Sequence, residues 1–261
     1  MSPIGPVLSN QVGLVVGVAN KRSLAWAIAR AAAGEGASIA LTYQNERLEE
    51  NVRELAAALT DPMILPCDVN DDAQLDAVFH AIADRHGGLD FVVHGAAFAD
   101  REDLSRPFYE TSRAGFTKAL EVSAYSLVAM SRRAVPLMEK KGGGRILTLT
   151  FLGSDRVFPN YNVMGVAKAA LESSVRYLAS ELGPKGISVN AISAGPVKTL
   201  AAAGISGFST FLKEYADRAP IRRNIDANDV AEAALALLGP AGKAVTGEVL
   251  MVDGGYSIMG T

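Results

Sequence analysis

Tyr161 and Lys168 are the side chains whose types and spacing point most directly to chemistry. Both lie in the run FPNYNVMGVAKAALE, which predicts a helix after the fifth predicted strand. Their separation of seven residues is two helical turns, so both side chains should share one helix face, roughly 10 Å apart along the axis. A tyrosine there can donate a hydrogen bond to a substrate oxygen, while a lysine can hold ribose hydroxyls and favour a developing oxyanion. If the pair stood alone, an interface tyrosine and a surface lysine would be the better explanation. Its position after the fifth predicted strand favours a role in chemistry instead.

The elements that must position this pair alternate regularly along the chain. Short runs rich in Val, Ile and Leu alternate with longer Ala-rich segments of helical period, which is typical of a parallel sheet covered by helices on both faces. The predicted strands lie near 12–18, 37–43, 63–66, 90–94, 144–150, 186–192 and 247–251. The predicted helices lie near 23–34, 46–59, 72–86, 114–139, 160–182 and 226–238. The pattern predicts one α/β domain over residues 1–261, a Rossmann-type doubly wound fold with a seven-stranded sheet and a ligand crevice beyond the strands' carboxyl ends.

The first two strand ends suggest a nucleotide. Gly17 lies at the turn after the first strand and Ser23 near the start of a helix, where a phosphate could meet free amides. The usual G-x-G-x-x-G spacing is absent, so a plain strand-to-helix turn explains the segment nearly as well. Gln44 follows the second strand, where an amide can bond a free 2′-hydroxyl but cannot neutralise a 2′-phosphate. This favours NADH, with Arg47 as the main contrary feature and a solvated turn as the alternative role of Gln44.

The third and fourth strand ends could hold the rest of such a cofactor. Asp68 could accept from an adenine amino group and Val69 could pack on the ring, although Asp68 could instead cap a loop before the next helix. After His94, the small residues Gly95 and Ala96 permit close backbone approach to a cofactor, or simply compact packing.

One long segment, 197–219, interrupts the alternation. It is bracketed by Pro196 and Pro220 and carries Gly204 and Gly207 among small and apolar residues. Because it begins at a strand's carboxyl end, it predicts a mobile substrate lid with short helical turns, with an inert insertion as the alternative.

The bulk composition excludes several classes of partner. A net charge of −3 offers no basic field for nucleic acid or an anionic membrane. Cys67 is the only cysteine, which excludes an internal disulfide. The start of the chain lacks a signal-peptide pattern and no apolar run is long enough to span a bilayer, so we expect a cytoplasmic protein. The histidines are scattered without ligand spacing, so no metal site is predicted; they are His80, His86 and His94.

Longer strings resemble the short-chain dehydrogenase/reductase family, and specifically its branch of bacterial enoyl-acyl carrier protein reductases. The strings are Gly17-x5-Ser23-Leu24, TYQNERL, CDV, PNYNVMGVAKA, VNAISAGPVKTLAA and GEVLMVDGGYS, and the resemblance spans about residues 11–258. Most of the wider family has three residues between tyrosine and lysine. Here Met164 occupies that tyrosine position and six residues separate Tyr161 from Lys168, as in the enoyl reductases.

The resemblance implies a role for each site residue. Tyr161 would bind a thioester carbonyl, Lys168 the nicotinamide ribose, and Ala99 the substrate. The cofactor would be lined by Gly17, Ser23, Leu24, Gln44, Asp68, Val69 and Ala96, with Val197 and Thr199 near its nicotinamide end. It also implies a homotetramer, in keeping with a helix from about 163 to 182 that carries apolar or small residues nearly all round.

The implied reaction is hydride transfer from NADH to C3 of a trans-2-enoyl thioester carried on acyl carrier protein, with the enolate charge stabilised at Tyr161. Two positions depart from the pattern. Phe151 stands where many relatives have a second tyrosine, which keeps a ring wall but loses a hydroxyl, and Ala97 replaces a frequent glycine. The alternatives are a 3-ketoacyl or hydroxyacyl oxidoreductase of the same fold, and a nucleotide-sensing binding protein that has lost turnover.

Overall fold

A single parallel sheet positions every candidate site residue. The computed structural model describes residues 5–199 and 208–260. Within them the strands are β1 (Val12–Val16), β2 (Ser38–Tyr43), β3 (Met63–Pro66), β4 (Phe91–His94), β5 (Gly144–Thr150), β6 (Ile187–Ala194) and β7 (Val249–Val252). They pair in parallel in the order β3-β2-β1-β4-β5-β6-β7. The order reverses at β1 and β4, so a crevice opens there beyond the carboxyl ends.

Helices cover both faces of the sheet, which explains why the strands are apolar along their length. They are α1 (Leu24–Gly34), α2 (Glu46–Ala56), α3 (Asp72–His86), α4 (Arg101–Ser105), α5 (Arg113–Leu120), α6 (Ser126–Lys140), α7 (Val163–Leu182), α8 (Phe208–Arg218) and α9 (Ala227–Leu238). α1, α2 and α9 bury side chains such as Trp26 and Val230 against one face. α3, α6 and α7 bury side chains such as Leu75 and Leu171 against the other. The predicted Rossmann-type sheet and its two helical layers are confirmed.

The helix predicted over 114–139 is not one α-helix. α5 and α6 are separated by a π-helical turn, Glu121–Tyr125. This wider turn places Ser123 against the loop after β4, where its Oγ accepts a hydrogen bond from the amide of Phe98 over 3.0 Å. One added residue shifts the apolar face by about 100°, so a prediction that assumes a single continuous helical period misses the turn. π-turns of this kind are frequent at functional sites.

The prediction that Tyr161 and Lys168 share one helix was wrong in detail. α7 begins at Val163, and Tyr161 lies in the turn before it. The cause is local, because Asn162 has φ 38° and ψ −117°, a backbone shape outside the helical region. Lys168 is therefore held by the helix, while Tyr161 is held by the turn.

The predicted lid is described only in part. Residues 200–207, which include Gly204 and Gly207, lie outside the described residues. The later part forms α8, whose Leu212 and Tyr215 are buried. The phenol of Tyr215 donates to the carbonyl oxygen of Asp253 over 3.0 Å, and its ring stacks on Tyr256 at 4.0 Å between centroids. This helix is therefore packed against the C-terminal segment.

Candidate active site

An open cleft of about 160 Å³ lies beyond the carboxyl ends of β1, β2 and β4. Four predicted cofactor residues line it together, namely Gly17, Gln44, Val69 and Ala96. Gly95 and Ala97, which the sequence analysis also singled out, line it too. Sequence reasoning missed the other lining residues, which are Val16, Val18, Ala19, Thr42, Leu48, Cys67, Phe98 and Val122. Val122 comes from the π-helical turn, and no motif signals its presence.

Two glycines let the loops after β1 and β4 approach each other. Gly17 has φ +98°, and a Cβ there would lie 2.5 Å from the backbone carbonyl carbon of Gly95. A Cβ on Gly95 would in turn lie 2.8 Å from the carbonyl oxygen of Val16. The close backbone approach that the small residues predicted is therefore present, and any larger side chain would force the two loops apart.

Ser23 organises the turn between β1 and α1. Its Oγ accepts from the amides of Ala19 and Asn20, over 3.0 and 3.1 Å, and makes no side-chain bond to the helix that follows. The first amides of α1 thus keep the partial positive charge of a helix amino terminus for a ligand. Leu24, the first residue of α1, packs against the apolar core beneath.

Asp68 lies beside the cleft but is not among its lining residues. Its Oδ1 accepts from the amide of Asn70 over 3.0 Å, so it stabilises the turn after β3. Asp71 caps α3, accepting from the amides of Ala73 and Gln74. The contact to Asn70 matches the alternative role for Asp68, a cap of the loop before that helix, while the helix itself is capped by Asp71.

The predicted substrate residue, Ala99, lies in the loop after β4. Ala99 packs against a small apolar cluster formed by Ala119, Val163 and Ala167, which brings it to the start of α7. The ammonium of Lys118 lies 4.5 Å from the centre of the Phe98 ring. The amide of Thr199 donates to the carbonyl oxygen of Val197 over 2.7 Å in the turn after β6.

Tyr161 packs against the ring of Phe151 and against a glycine. The ring of Phe151 lies 5.1 Å from it at 69°, so the predicted ring wall is present. A Cβ on Gly153 would lie 2.5 Å from the Tyr161 ring, which makes Gly153 a site residue that sequence reasoning missed. Burial raises the pKa of the Tyr161 phenol above its ordinary value, and the nearby Glu172 carboxylate adds to the shift. The phenol is therefore protonated at neutral pH and can donate a hydrogen bond.

Lys168 is a buried cation at the end of β5. Its side chain is 6% exposed, and its Nζ donates to the carbonyl oxygen of Leu149 over 2.7 Å. Burial lowers its pKa to about 8, while the carboxylate of Glu172 opposes that shift. Thr150 donates to Glu172 Oε1 over 2.6 Å and so holds the carboxylate one turn from the lysine. Glu172 was also missed, although its i+4 spacing from Lys168 on a helix was a usable signal.

His94 is a buried neutral residue at the end of β4. Its Nδ1 lies 2.8 Å from Thr148 Oγ1 and its Nε2 lies 2.7 Å from Ser126 Oγ. Burial, with the charge of Lys168 as a second cause, lowers its pKa to about 3. Since Ser126 donates to the carbonyl oxygen of Val122, we assign the proton to His94 Nε2. The ring therefore links β4, β5 and α6 without adding charge.

Two findings bear on other classes of site. Among the described residues, no three His, Cys, Asp or Glu side chains come together as a metal site would require. Within those residues, no helix has the length and apolarity needed to cross a membrane.

A doubly wound parallel sheet, a cleft at its switch point, and a half-buried tyrosine and a buried lysine around the start of α7 define a Rossmann-type nucleotide-dependent oxidoreductase. The comparison with protein families is more specific. The family model described as enoyl-(acyl carrier protein) reductase matches residues 17–257. The chain belongs to this family.

This chain is similar to known relatives and solved structures over nearly its whole length. The enoyl-[acyl-carrier-protein] reductase [NADH] FabI of Bacillus cereus is 50% identical, covering 97% of this chain and 99% of its own length. Enoyl-[acyl-carrier-protein] reductase [NADH] 2 of Rhizobium meliloti is 48% identical, covering 97% and 93%. The Bacillus cereus reductase solved with NADP+ and indole naphthyridinone has a TM-score of 0.95 at 49% identity, covering 98% and 99%. The Anaplasma phagocytophilum reductase solved with NAD has a TM-score of 0.94 at 46% identity, covering 98% and 97%.

Proposed function

We propose that this chain reduces the C2–C3 double bond of a trans-2-enoyl thioester carried on acyl carrier protein, with NADH as the hydride donor. The observation that carries the proposal is a protonated phenol, Tyr161, and a buried ammonium, Lys168, both influenced by the Glu172 carboxylate, in a fold whose switch point opens a cleft suited to a nucleotide. Membership of the enoyl reductase family supports the choice of substrate, and the names of the relatives support NADH.

The residues present fit a nicotinamide dinucleotide. Gly17 and Gly95 leave the backbone accessible, and the amino end of α1 has no side-chain cap, which suits a pyrophosphate. Gln44 would bond the ribose of the adenosine half, and Val69 would pack on the adenine. Lys168 would hold the nicotinamide ribose, and Ser23, Leu24, Asp68, Ala96, Val197 and Thr199 would complete the surround. When bound, the cofactor supplies the hydride that enters C3.

The chain's own residues stabilise the charge that this transfer creates. The Tyr161 phenol donates to the thioester oxygen, where enolate charge collects, and Lys168 adds a positive field in a site of low water content. A preorganised donor of this type contributes about 3 kcal/mol to the transition state. Phe151 and Ala99 would contact the substrate without donating to it, and the 197–219 lid would keep water out. The reaction ends with protonation at C2.

The geometry also separates this reaction from reduction of a ketone. In ketone reduction the hydride acceptor and the charged oxygen are directly bonded, whereas in enoyl reduction they lie three bonds apart. Compared with the three-residue spacing of the wider family, the tyrosine here is displaced along the chain relative to the lysine. A donor displaced in this way suits the longer distance between C3 and the thioester oxygen.

We extend the proposal to the assembly and its location. The outer side of α7 presents Ala169 and a 73% exposed Tyr177, and the edge strand β7 presents a 44% exposed Met251. Exposed apolar surface on α7 and on the edge strand β7 supports association with other copies of this chain. We propose a homotetramer. We place the enzyme in the cytoplasm and expect no nucleic-acid or membrane partner.

The test is a product analysis. Purified protein is incubated with NADH or NADPH and, separately, with crotonyl and acetoacetyl thioesters, and the products are identified. We expect saturated butyryl thioester, a higher kcat/KM with NADH than with NADPH, and essentially no reduction of the acetoacetyl thioester. Acetoacetyl reduction at a comparable kcat/KM would identify a ketoacyl reductase instead, and absence of turnover on both would favour a binding protein.

A further inference from the structure

Asn162 follows Tyr161 directly and has a backbone conformation that few L residues adopt. Its φ of 38° and ψ of −117° are close to those of the second residue of a type II′ turn, a position that usually selects glycine. The amide of Met164 donates to the carbonyl oxygen of Tyr161 over 2.9 Å and closes that turn. The backbone next to the proposed hydrogen-bond donor is therefore held in a shape that its residue type disfavours.

The side chain of Asn162 does not cap the helix that it precedes. An asparagine at this position normally accepts from an amide in the first helical turn, but Asn162 makes no such bond. Its Nδ2 instead donates to the carbonyl oxygen of Arg106 over 2.7 Å and to that of Asp103 over 3.3 Å. The carboxamide thus joins the turn 161–164 to α4 and the residue that follows it.

The acceptor segment is itself firmly held. Asp103 is 3% exposed, and its Oδ1 accepts from the amide of Ser112 over 2.9 Å. The hydroxyl of Ser112 donates to Asp103 Oδ2 over 3.1 Å. A Cβ added to Gly115 would collide with the same carboxylate. α4 is therefore locked onto α5 and offers a fixed anchor.

We propose that Asn162 is a positioning residue, which fixes the phenol of Tyr161 by clamping the turn 161–164 to the carbonyl oxygens of Asp103 and Arg106. The inference rests on the proposed role of Tyr161 as donor to the thioester oxygen. A disfavoured turn keeps its shape only while surrounding contacts support it. Loss of the carboxamide should let the phenol leave its productive orientation, and small misplacements of a reacting group cost much rate.

Two substitutions remove the clamp in different ways. Asn162→Gly adopts the same backbone without penalty but has no carboxamide. Asn162→Asp keeps the size of the side chain but places a carboxylate against two carbonyl oxygens. Asn10→Gly is the matched control, because Asn10 is exposed and also has a positive φ, 62°. We expect kcat to fall at least tenfold in both Asn162 variants, with the Kd for NADH within twofold of the parent, and parental values in Asn10→Gly.

The decisive measurement repeats Asn162→Gly in a Tyr161→Phe background. If Asn162 acts through the phenol, its removal should cost less than twofold there, because the group that it positions is already gone. A tenfold loss in both backgrounds would overturn the proposal, as would a kcat within twofold of the parent in a folded Asn162→Gly protein. If Asn162→Gly does not fold, Asn162→Asp carries the same comparison.

The same set of variants separates the two proposals. Parental turnover of Tyr161→Phe would overturn the role of Tyr161, and this inference with it. A large loss in Tyr161→Phe together with none in the Asn162 variants would overturn the inference alone.

Discussion

The two halves of the crevice differ in the groups that line them. Around β1 and β4 the cleft is made of backbone and uncharged side chains, with Gly17 and Gly95 in near contact. Around β5 and α7 lie a buried lysine, Lys168, a half-buried tyrosine, Tyr161, and a half-buried carboxylate, Glu172. The half around β1 and β4 should tolerate no added atom, because it depends on the close approach of two backbone loops. The second should tolerate no lost polar group, because burial makes each one strong and costly to leave without a partner.

The largest effect should come from removing a polar group in the second half. In Tyr161→Phe the ring still fills its place beside Gly153 but cannot donate, so kcat should fall by about 10²–10³. The Kd for NADH, measured by fluorescence titration, should change little. Tyr177→Phe is the matched control, because Tyr177 lies on α7 but is exposed. A Tyr161→Phe enzyme within threefold of the parent would contradict the division between the two halves.

Adding one carbon to the first half should act on binding. In Gly95→Ala the new Cβ would meet the carbonyl oxygen of Val16 at 2.8 Å and the Cβ of Ala25 at 3.1 Å. We expect the Kd for NADH to rise roughly tenfold and the free energy of unfolding to fall by about 1–3 kcal/mol, as overpacking typically does. Gly34→Ala is the control, because nothing lies within 4 Å of its Cβ position. An unchanged Kd would contradict this, because it would show that the loops after β1 and β4 can accommodate an added methyl group.

The pH dependence of kcat/KM should distinguish the two halves, because the titrating groups that we propose to act in turnover lie in the half around β5 and α7. Lys168 must be charged, and burial lowers its pKa to about 8, so kcat/KM should decline as pH rises through that value. His94 stays neutral there and Tyr161 stays protonated, which leaves Glu172 as the opposing charge. Glu172→Gln removes the influence that raises the lysine pKa, so the alkaline limb should move to lower pH.

A pH–rate series on Glu172→Gln and the parent checks this, with Glu181→Gln as a control at an exposed position of the same helix. An alkaline limb that stays in place would mean that the carboxylate does not act on Lys168.

The smallest effect should come from Phe151→Tyr. The ring already packs against Tyr161 at 5.1 Å, and the donor that we propose for the thioester oxygen is Tyr161 itself. Turnover should therefore change by less than about fivefold, measured as kcat with crotonyl thioester and NADH. A gain beyond about a hundredfold, the scale of one oxyanion donor, would make the missing hydroxyl a major element of the site.

Much of this arrangement could be predicted from local patterns. Apolar runs of strand length separated by helical segments predicted the order of elements, because strands covered on both faces must be apolar throughout. The ends of those strands predicted where Gly17, Gln44, Val69 and Ala96 would meet, because parallel strands bring their carboxyl ends to one edge. The spacing of Tyr161 and Lys168 identified the pair and, by resemblance, the family.

Only the tertiary structure shows the features that depend on contacts between segments far apart in the chain. Tyr161 lies outside α7 because Asn162 takes a non-helical shape that is supported by the carbonyl oxygen of Arg106, 56 residues earlier. Glu172 acts at the site because Thr150 holds it, and Gly153 matters because a ring occupies the space of its Cβ. Val122 reaches the cleft through a π-helical turn. Local sequence determines which elements form, through periodicity and backbone preference. The positions of individual buried polar groups depend on packing between elements, which no short stretch of sequence encodes.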